Sequence, residues 1–139
     1  DEWILDRGAY YASEIDIEIG AYSNRAISGM FSGEKWFQTI VAGTGKVVIT
    51  SAGPLEIIEL TNDKLVVDGA FAVARTSGVE LNVTKASKGI FSTLISGEGL
   101  VNTFSGSGKV LIAPVDNYFN TLISIVRNTN YKVQQIGNK

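Results

Sequence analysis

With 139 residues, 45% of them hydrophobic and 19% charged, the chain is long enough to close its own core and too apolar to be disordered. Its net charge of −2 and its scattered Lys and Arg disfavour a nucleic-acid face, which would be clustered and basic. It has no histidine and no cysteine, which removes the commonest general base and metal ligand, along with disulfides and thiolate chemistry.

Lack of cysteine leaves the compartment open; a cytoplasmic location is favoured and an organellar one is compatible. No apolar run approaches the roughly 20 residues of a membrane span. The chain opens on DEWILDRG, with neither an initiator methionine nor a signal peptide, as a processed product or a fragment does.

The first element expected is a strand-turn-strand over Trp3–Ala12, with Asp6 before a glycine-containing turn. Ile15-Asp16-Ile17-Glu18-Ile19 alternates strictly and predicts a half-buried strand. Ser32-Gly33-Glu34 opens the next strand, with Gly33 marking a turn or bulge. Gly43 and Gly45 then supply the positive φ angles of a hairpin turn, followed by the aliphatic run Val47–Ile49. Leu55–Leu60 alternates less cleanly. Leu65–Ala74 is two apolar runs around Asp68-Gly69, again a strand, a turn and a strand. Val79–Val83 is the counterpart of the segment at Ile15, Ser96-Gly97-Glu98 that of the one at Ser32, and Gly106–Ala113, with Gly106 and Gly108, that of Gly43–Thr50. Beyond these, Tyr118, Phe119, Leu122, Ile123 and Val126 share one face at helical spacing, with Asp116 as N-cap. A polar tail follows.

These matches recur in one order and at nearly one offset, so the chain reads as two copies of a β-unit: residues 1–62, residues 63–126, and a polar tail over 127–139. The repeat also decides the meaning of Gly106-Ser107-Gly108-Lys109. A phosphate-binding loop needs a longer glycine spacing and a helix after the lysine. Here Lys109 and Lys46 each lead into a β-branched, aliphatic run, which favours a strand. The glycines therefore bend the backbone instead of holding a phosphate.

The segments LVVDGAFAVA, SGEGL and GSGKVLIAP together resemble the altered-inheritance-of-mitochondria protein 24 family. The resemblance runs from Asp1 to about Val126. It implies a fold similar to the tryptophan RNA-binding attenuation protein, a short double-stranded β-helix or β-sandwich unit. The family usually carries three such units about a pseudo-threefold axis and occurs in bacteria, archaea and mitochondria. It has no established enzymatic activity or cofactor, and its mitochondrial members are linked to inner-membrane organisation. The present chain resembles the middle and last units, and has Gly-Ser-Gly-Lys where the family often has Gly-Pro-Gly-Thr. The resemblance carries over no catalytic residue.

The expected fold is thus all-β, two tandem short units with a short C-terminal helix. No residue is nominated as catalytic, cofactor-binding or metal-binding. Glu34 and Glu98 sit at equivalent turns, as do Asp6 and Asp68, and a structural role in the turn accounts for each pair. Trp3, Trp36 and Tyr10 align with Leu65, Leu100 and Phe71, an exchange typical of core positions. Asn82-Val83-Thr84 forms a glycosylation sequon. The function expected is a non-enzymatic, self-assembling scaffold acting through strand edges and the apolar stripe at Tyr118, Phe119, Leu122 and Ile123. Its partners are other copies of itself or other proteins. The alternative is a binding module for a small ligand, a glycan or RNA in the groove between the β-units.

Overall fold

A computed structural model of the chain describes residues 1–24, 37–85 and 100–115, together with 122, 123, 125 and 126. Its strands are β1 (Glu2–Leu5), β2 (Tyr10–Ser13), β3 (Glu18–Ser23), β4 (Phe37–Ala42), β5 (Val47–Ile49), β6 (Glu56–Asp68), β7 (Ala72–Thr76), β8 (Val79–Lys85) and β9 (Leu100–Ile112). The protein is all-β, as its alternating and β-branched segments lead one to expect. Seven strands form one antiparallel sheet in the order β3-β4-β1-β7-β9-β6, with β8 also on β9, and β2 pairs with β5 in a small second sheet.

β9 organises the sheet. Along one edge it pairs with β6 from Glu56↔Ile112 to Asp68↔Val101. Its other edge is shared: β7 takes the C-terminal end, with Arg75 opposite Val110, and β8 takes the N-terminal end, with Val79 opposite Gly106. The chain passes from β6 to β7 through a 3-10 turn at Gly69–Phe71, where the Asp68 carboxylate accepts the Ala70 N–H at 3.0 Å. That is the strand-turn-strand expected around Asp68-Gly69. The sheet curls until Asn24, just past β3, donates to the Leu81 carbonyl of β8 at 3.1 Å.

Two expectations are corrected. The glycine pairs do have positive φ: 124° and 156° at Gly43 and Gly45, 121° and 149° at Gly106 and Gly108. Neither pair forms a hairpin. Gly43 and Gly45 lead from β4, which pairs with β1 and β3, to β5, which pairs with β2. Gly106 and Gly108 lie inside β9, whose hydrogen-bonding partners are other strands, so the chain bends there and runs on. The second correction concerns Ile15–Ile19. Ile15 is 97% exposed in a turn, Ile17 is buried, and the strand begins at Glu18. A local turn, with the Ile17 N–H on the Glu14 carbonyl at 3.2 Å, overrides the alternation.

β6 runs without a break through 62–63, the position of the boundary expected between units. It absorbs one extra residue there: Leu60 faces Gly108 and Asp63 faces Gly106, so Thr61 and Asn62 together oppose Ser107. Asn62 takes φ +50° and its N–H donates to Ser107 Oγ at 2.9 Å. The bulge keeps Ile58, Leu60, Leu65 and Val67 on the core side of the strand, although their sequence parity changes across it.

The core has two parts. One gathers Leu60, Val79, Leu81, Val83, Phe104, Val110 and Ile112; Phe104 and Val110 are shut off from solvent. The other gathers Leu5, Ala9, Ile17, Val41, Val73, Ala74 and Ala113 between the main sheet and the β2-β5 pair. Burial of each large side chain here contributes about 1.5–3 kcal/mol. At the C-terminal side, Leu122, Ile123, Ile125 and Val126 are helical in conformation and about half exposed. Among the described residues no helix is long and apolar enough to cross a membrane.

Candidate functional site

An apolar groove opens between β1 and β4 on one side and β5 on the other. Trp3 and Leu5 come from β1, Val41 from β4, and Val47 and Ile49 from β5, with Ile17 at the base of the Gly43-Thr44-Gly45 turn. Ala74 and Leu111 close the far wall, so both halves of the chain line a cavity of about 500 Å³. The alternation of β1 makes this possible, because Trp3 and Leu5 point to the groove while Ile4 points to the opposite face. A site of this volume, mostly aromatic and aliphatic with Asp1 and Thr44 also in its lining, suits a small, largely apolar molecule.

The opposite face of the same strands carries a buried polar chain. Arg75, on β7, is 2% exposed. Its Nε donates to the Val79 carbonyl at 3.0 Å and its Nη1 to Gln38 Oε1 at 3.1 Å. Gln38, on β4, passes the contact on: its Nε2 donates to Asp6 Oδ1 at 3.2 Å. The Arg75 guanidinium also lies 5.4 Å from the centre of the Tyr22 ring, within cation–π range. Burial pushes the Asp6 carboxyl above its ordinary value, against the opposing pull of the Arg7 backbone N–H, Gln38 and Arg75. Burial likewise lowers Arg75, against the opposing influence of Tyr22 and Asp6. The charges are thus joined through a neutral amide with no direct ion pair between them.

Of the site residues expected from sequence, Asp6 belongs to this chain of contacts and Asp68 caps the 3-10 turn. Lys46 and Lys109 each follow a glycine pair. The Lys46 N–H donates to Glu14 Oε2 at 2.9 Å and the Lys109 N–H to Thr76 Oγ1 at 2.9 Å. Lys109 Nζ also pairs with Glu59 at 3.4 Å on the solvent side. Trp3 is half buried against the second core cluster and Leu65 against the first. Asn82 and Thr84 of the sequon are exposed on β8. Gly33, Glu34, Trp36, Gly97, Glu98, Tyr118 and Phe119 lie outside the described residues. Among the described residues, no three of His, Cys, Asp and Glu gather in a metal-binding group.

Sequence reasoning missed Arg75 and Gln38. The available signal was a lone arginine directly after the apolar run Ala70–Ala74, since a cation at a core-facing strand position calls for a buried partner. Its partner lies far off in sequence, on a strand that only the sheet order brings near.

Residues 1–115 match the family model described as mitochondrial biogenesis AIM24. No curated protein matches the sequence. Among solved structures, the fold is similar to the X-ray crystal structure of protein SPYM3_0169 from Streptococcus pyogenes, with a TM-score of 0.67 and 21% sequence identity. The match covers 92% of this chain and 55% of that one, so the chain spans about half the length of that neighbour. At this identity the likeness is one of fold.

Proposed function

The chain belongs to the mitochondrial biogenesis AIM24 family, and on that premise we propose that it works without catalysis, as an assembly protein whose sheet edge takes up other chains. The observation that carries this reading is β6. It ends the sheet order, and among the described residues its 13 residues pair with β9 on one side only. Such a strand leaves a row of N–H and C=O groups for another strand to meet. The family description names a process and no reaction, which supports a non-catalytic role. So does Asp6, whose carboxylate is engaged by Gln38 away from the open groove.

Matching contacts support the division into two units. Glu14 and Thr76 receive the N–H of Lys46 and Lys109 alike, and the Thr50 and Ala113 N–H groups donate to the Ala9 and Phe71 carbonyls, both at 2.8 Å. The helical residues Leu122 and Ile123 would add a second apolar contact to the assembly. The molar mass of the purified chain, followed by light scattering from high to low concentration, tests the assembly reading. The expected result is an oligomer that dissociates on dilution; a monomer at every concentration overturns it.

The groove supports a second reading, in which the protein holds a small apolar ligand. Trp3 reports on it. In a Trp36→Phe background, 1-anilinonaphthalene-8-sulfonate should quench Trp3 saturably by energy transfer, and Val41→Phe, which fills much of the cavity and adds no second tryptophan, should abolish this. Quenching that stays linear in probe, or is unchanged by the filled cavity, removes the ligand reading.

A further inference from the structure

The bulge in β6 turns a sequence pattern into a surface symmetry. Four side chains share the solvent face of the strand: Ile57 and Glu59 before the bulge, Lys64 and Val66 after it. Their partners on β9 are Leu111, Lys109, Ser105 and Thr103, which all lie on one side of that strand. Ile57 is 63% exposed and Val66 60%. Glu59 and Lys64 are exposed as well. Read from either end, the face runs apolar, charged, bulge, charged, apolar, and the two charges are opposite in sign.

We propose that β6 of one copy pairs antiparallel with β6 of a second copy, about a twofold axis between Thr61 and Asn62. In this register Ile57 lies opposite Val66 of the partner strand and Glu59 opposite its Lys64, and the symmetry makes each contact twice. Glu59 already holds Lys109 on β9, so the incoming lysine completes a short ladder of charges across three strands. Competing registers lose this match. A slip of two residues sets Ile57 against Lys64 or Glu59 against Val66. Parallel pairing sets Glu59 against Glu59. Cross-strand pairs of opposite charge and of aliphatic residues favour the first register, and like charges disfavour the last. The proposal rests on the assembly reading above and specifies its partner and its register.

The chain has no cysteine of its own, so single-cysteine variants report the register directly. Ile57→Cys and Val66→Cys are purified separately, mixed and oxidised. The expected product is a covalent heterodimer that forms in the mixture and scarcely in either variant alone, because residues 57 and 57 of the two copies sit near opposite ends of the ladder. Equal crosslinking in the separate variants, or none in the mixture, overturns the proposal. If the unmodified chain is still oligomeric by light scattering, this edge and register fall while the assembly reading stands; if it is monomeric, both fall.

A charge exchange gives an independent readout. Glu59→Lys and Lys64→Glu each place like charges across the axis and weaken association by about tenfold or more. Mixing the two variants restores it, because each now meets its complement. A folding defect is not repaired by mixing, so failure of the mixture to reassociate counts against the register.

Discussion

Arg75 reaches over β1 to Gln38, Nη1 to Oε1 at 3.1 Å, and both side chains are closed off from water. The contact spans from β7 to β4 and ties the two halves of the sheet across the strand between them. Few polar contacts in the molecule have so little alternative: without Arg75, Gln38 Oε1 and the Val79 carbonyl each lose a donor in a place water does not reach.

Removal of Arg75 should therefore be costly. Arg75→Ala is expected to lower unfolding stability by roughly 3–5 kcal/mol, from the orphaned acceptors and the space left behind. Arg75→Met, which keeps most of the volume, should lose less. Urea denaturation followed by circular dichroism measures both; an alanine variant within about 1 kcal/mol of the parent would show that the chain of contacts is dispensable.

Asp6 predicts a pH dependence of definite sign. Its carboxyl is raised in the folded state, chiefly by burial, so the folded chain binds its proton more tightly than the unfolded chain. Stability from this group is greatest below the ordinary aspartate range. It declines as pH rises from that range through the raised value and is level beyond. Asp6→Asn, which retains an acceptor for Gln38, should flatten that part of the profile. Thermal melts of both proteins over the acidic range are the measurement, and parallel profiles would contradict the assignment.

Phe104 anchors the first core cluster and is 2% exposed. Phe104→Ala should destabilise the fold by about 3–5 kcal/mol, and Phe104→Leu by clearly less. Denaturant midpoints at unchanged slope would register the difference as stability alone.

Two glycines separate backbone strain from crowding. Gly8 has φ +82°, and a Cβ placed there meets nothing within 4 Å. Gly106 has φ +121°, and its Cβ would stand 2.7 Å from the Gly78 carbonyl oxygen. Gly8→Ala should cost about 1 kcal/mol, the price of conformation alone. Gly106→Ala should cost roughly 3 kcal/mol or more, since strain and overlap act together. Equal losses in the two melts would mean that the close approach to Gly78 is relieved by a shift of the strand.

The sequence reveals much of the fold where local chemistry agrees with the final pairing. Leu65–Ala74, two apolar runs around Asp68-Gly69, folds as a strand, a turn and a strand, with Ala70 and Phe71 taken into the turn. The glycines at 43, 45, 106 and 108 signal positive φ, and have it. What local pattern does not reveal is which strand lies beside which. Gly106 and Gly108 resemble a hairpin turn because two flexible residues beside a lysine often form one; they become an interior bend because β6 and β8 hold β9 on both sides. The boundary between units expected at 62–63 falls inside one strand, because Ser107 satisfies the Asn62 N–H and β6 continues. Ile15 shows the reverse error, an apolar residue in a perfect alternation that the turn after Glu14 sends to solvent. The polar chain from Arg75 to Asp6 was hard to read for a simpler reason: its members come from β7, β4 and the position just after β1, which are neighbours only in the assembled sheet.

The irregularities of β6 and β9 fall side by side. Asn62 lies against Ser107, and the Gly106 backbone lies against Gly78, where β7 gives way to β8. A crease therefore crosses the strands at one level, like a score line in card. Along the line, backbone freedom is concentrated in glycines and one left-handed asparagine. Bending there lets a single sheet wrap its own core without a second layer over every part of it, and any partner strand laid along β6 would have to follow the same fold line.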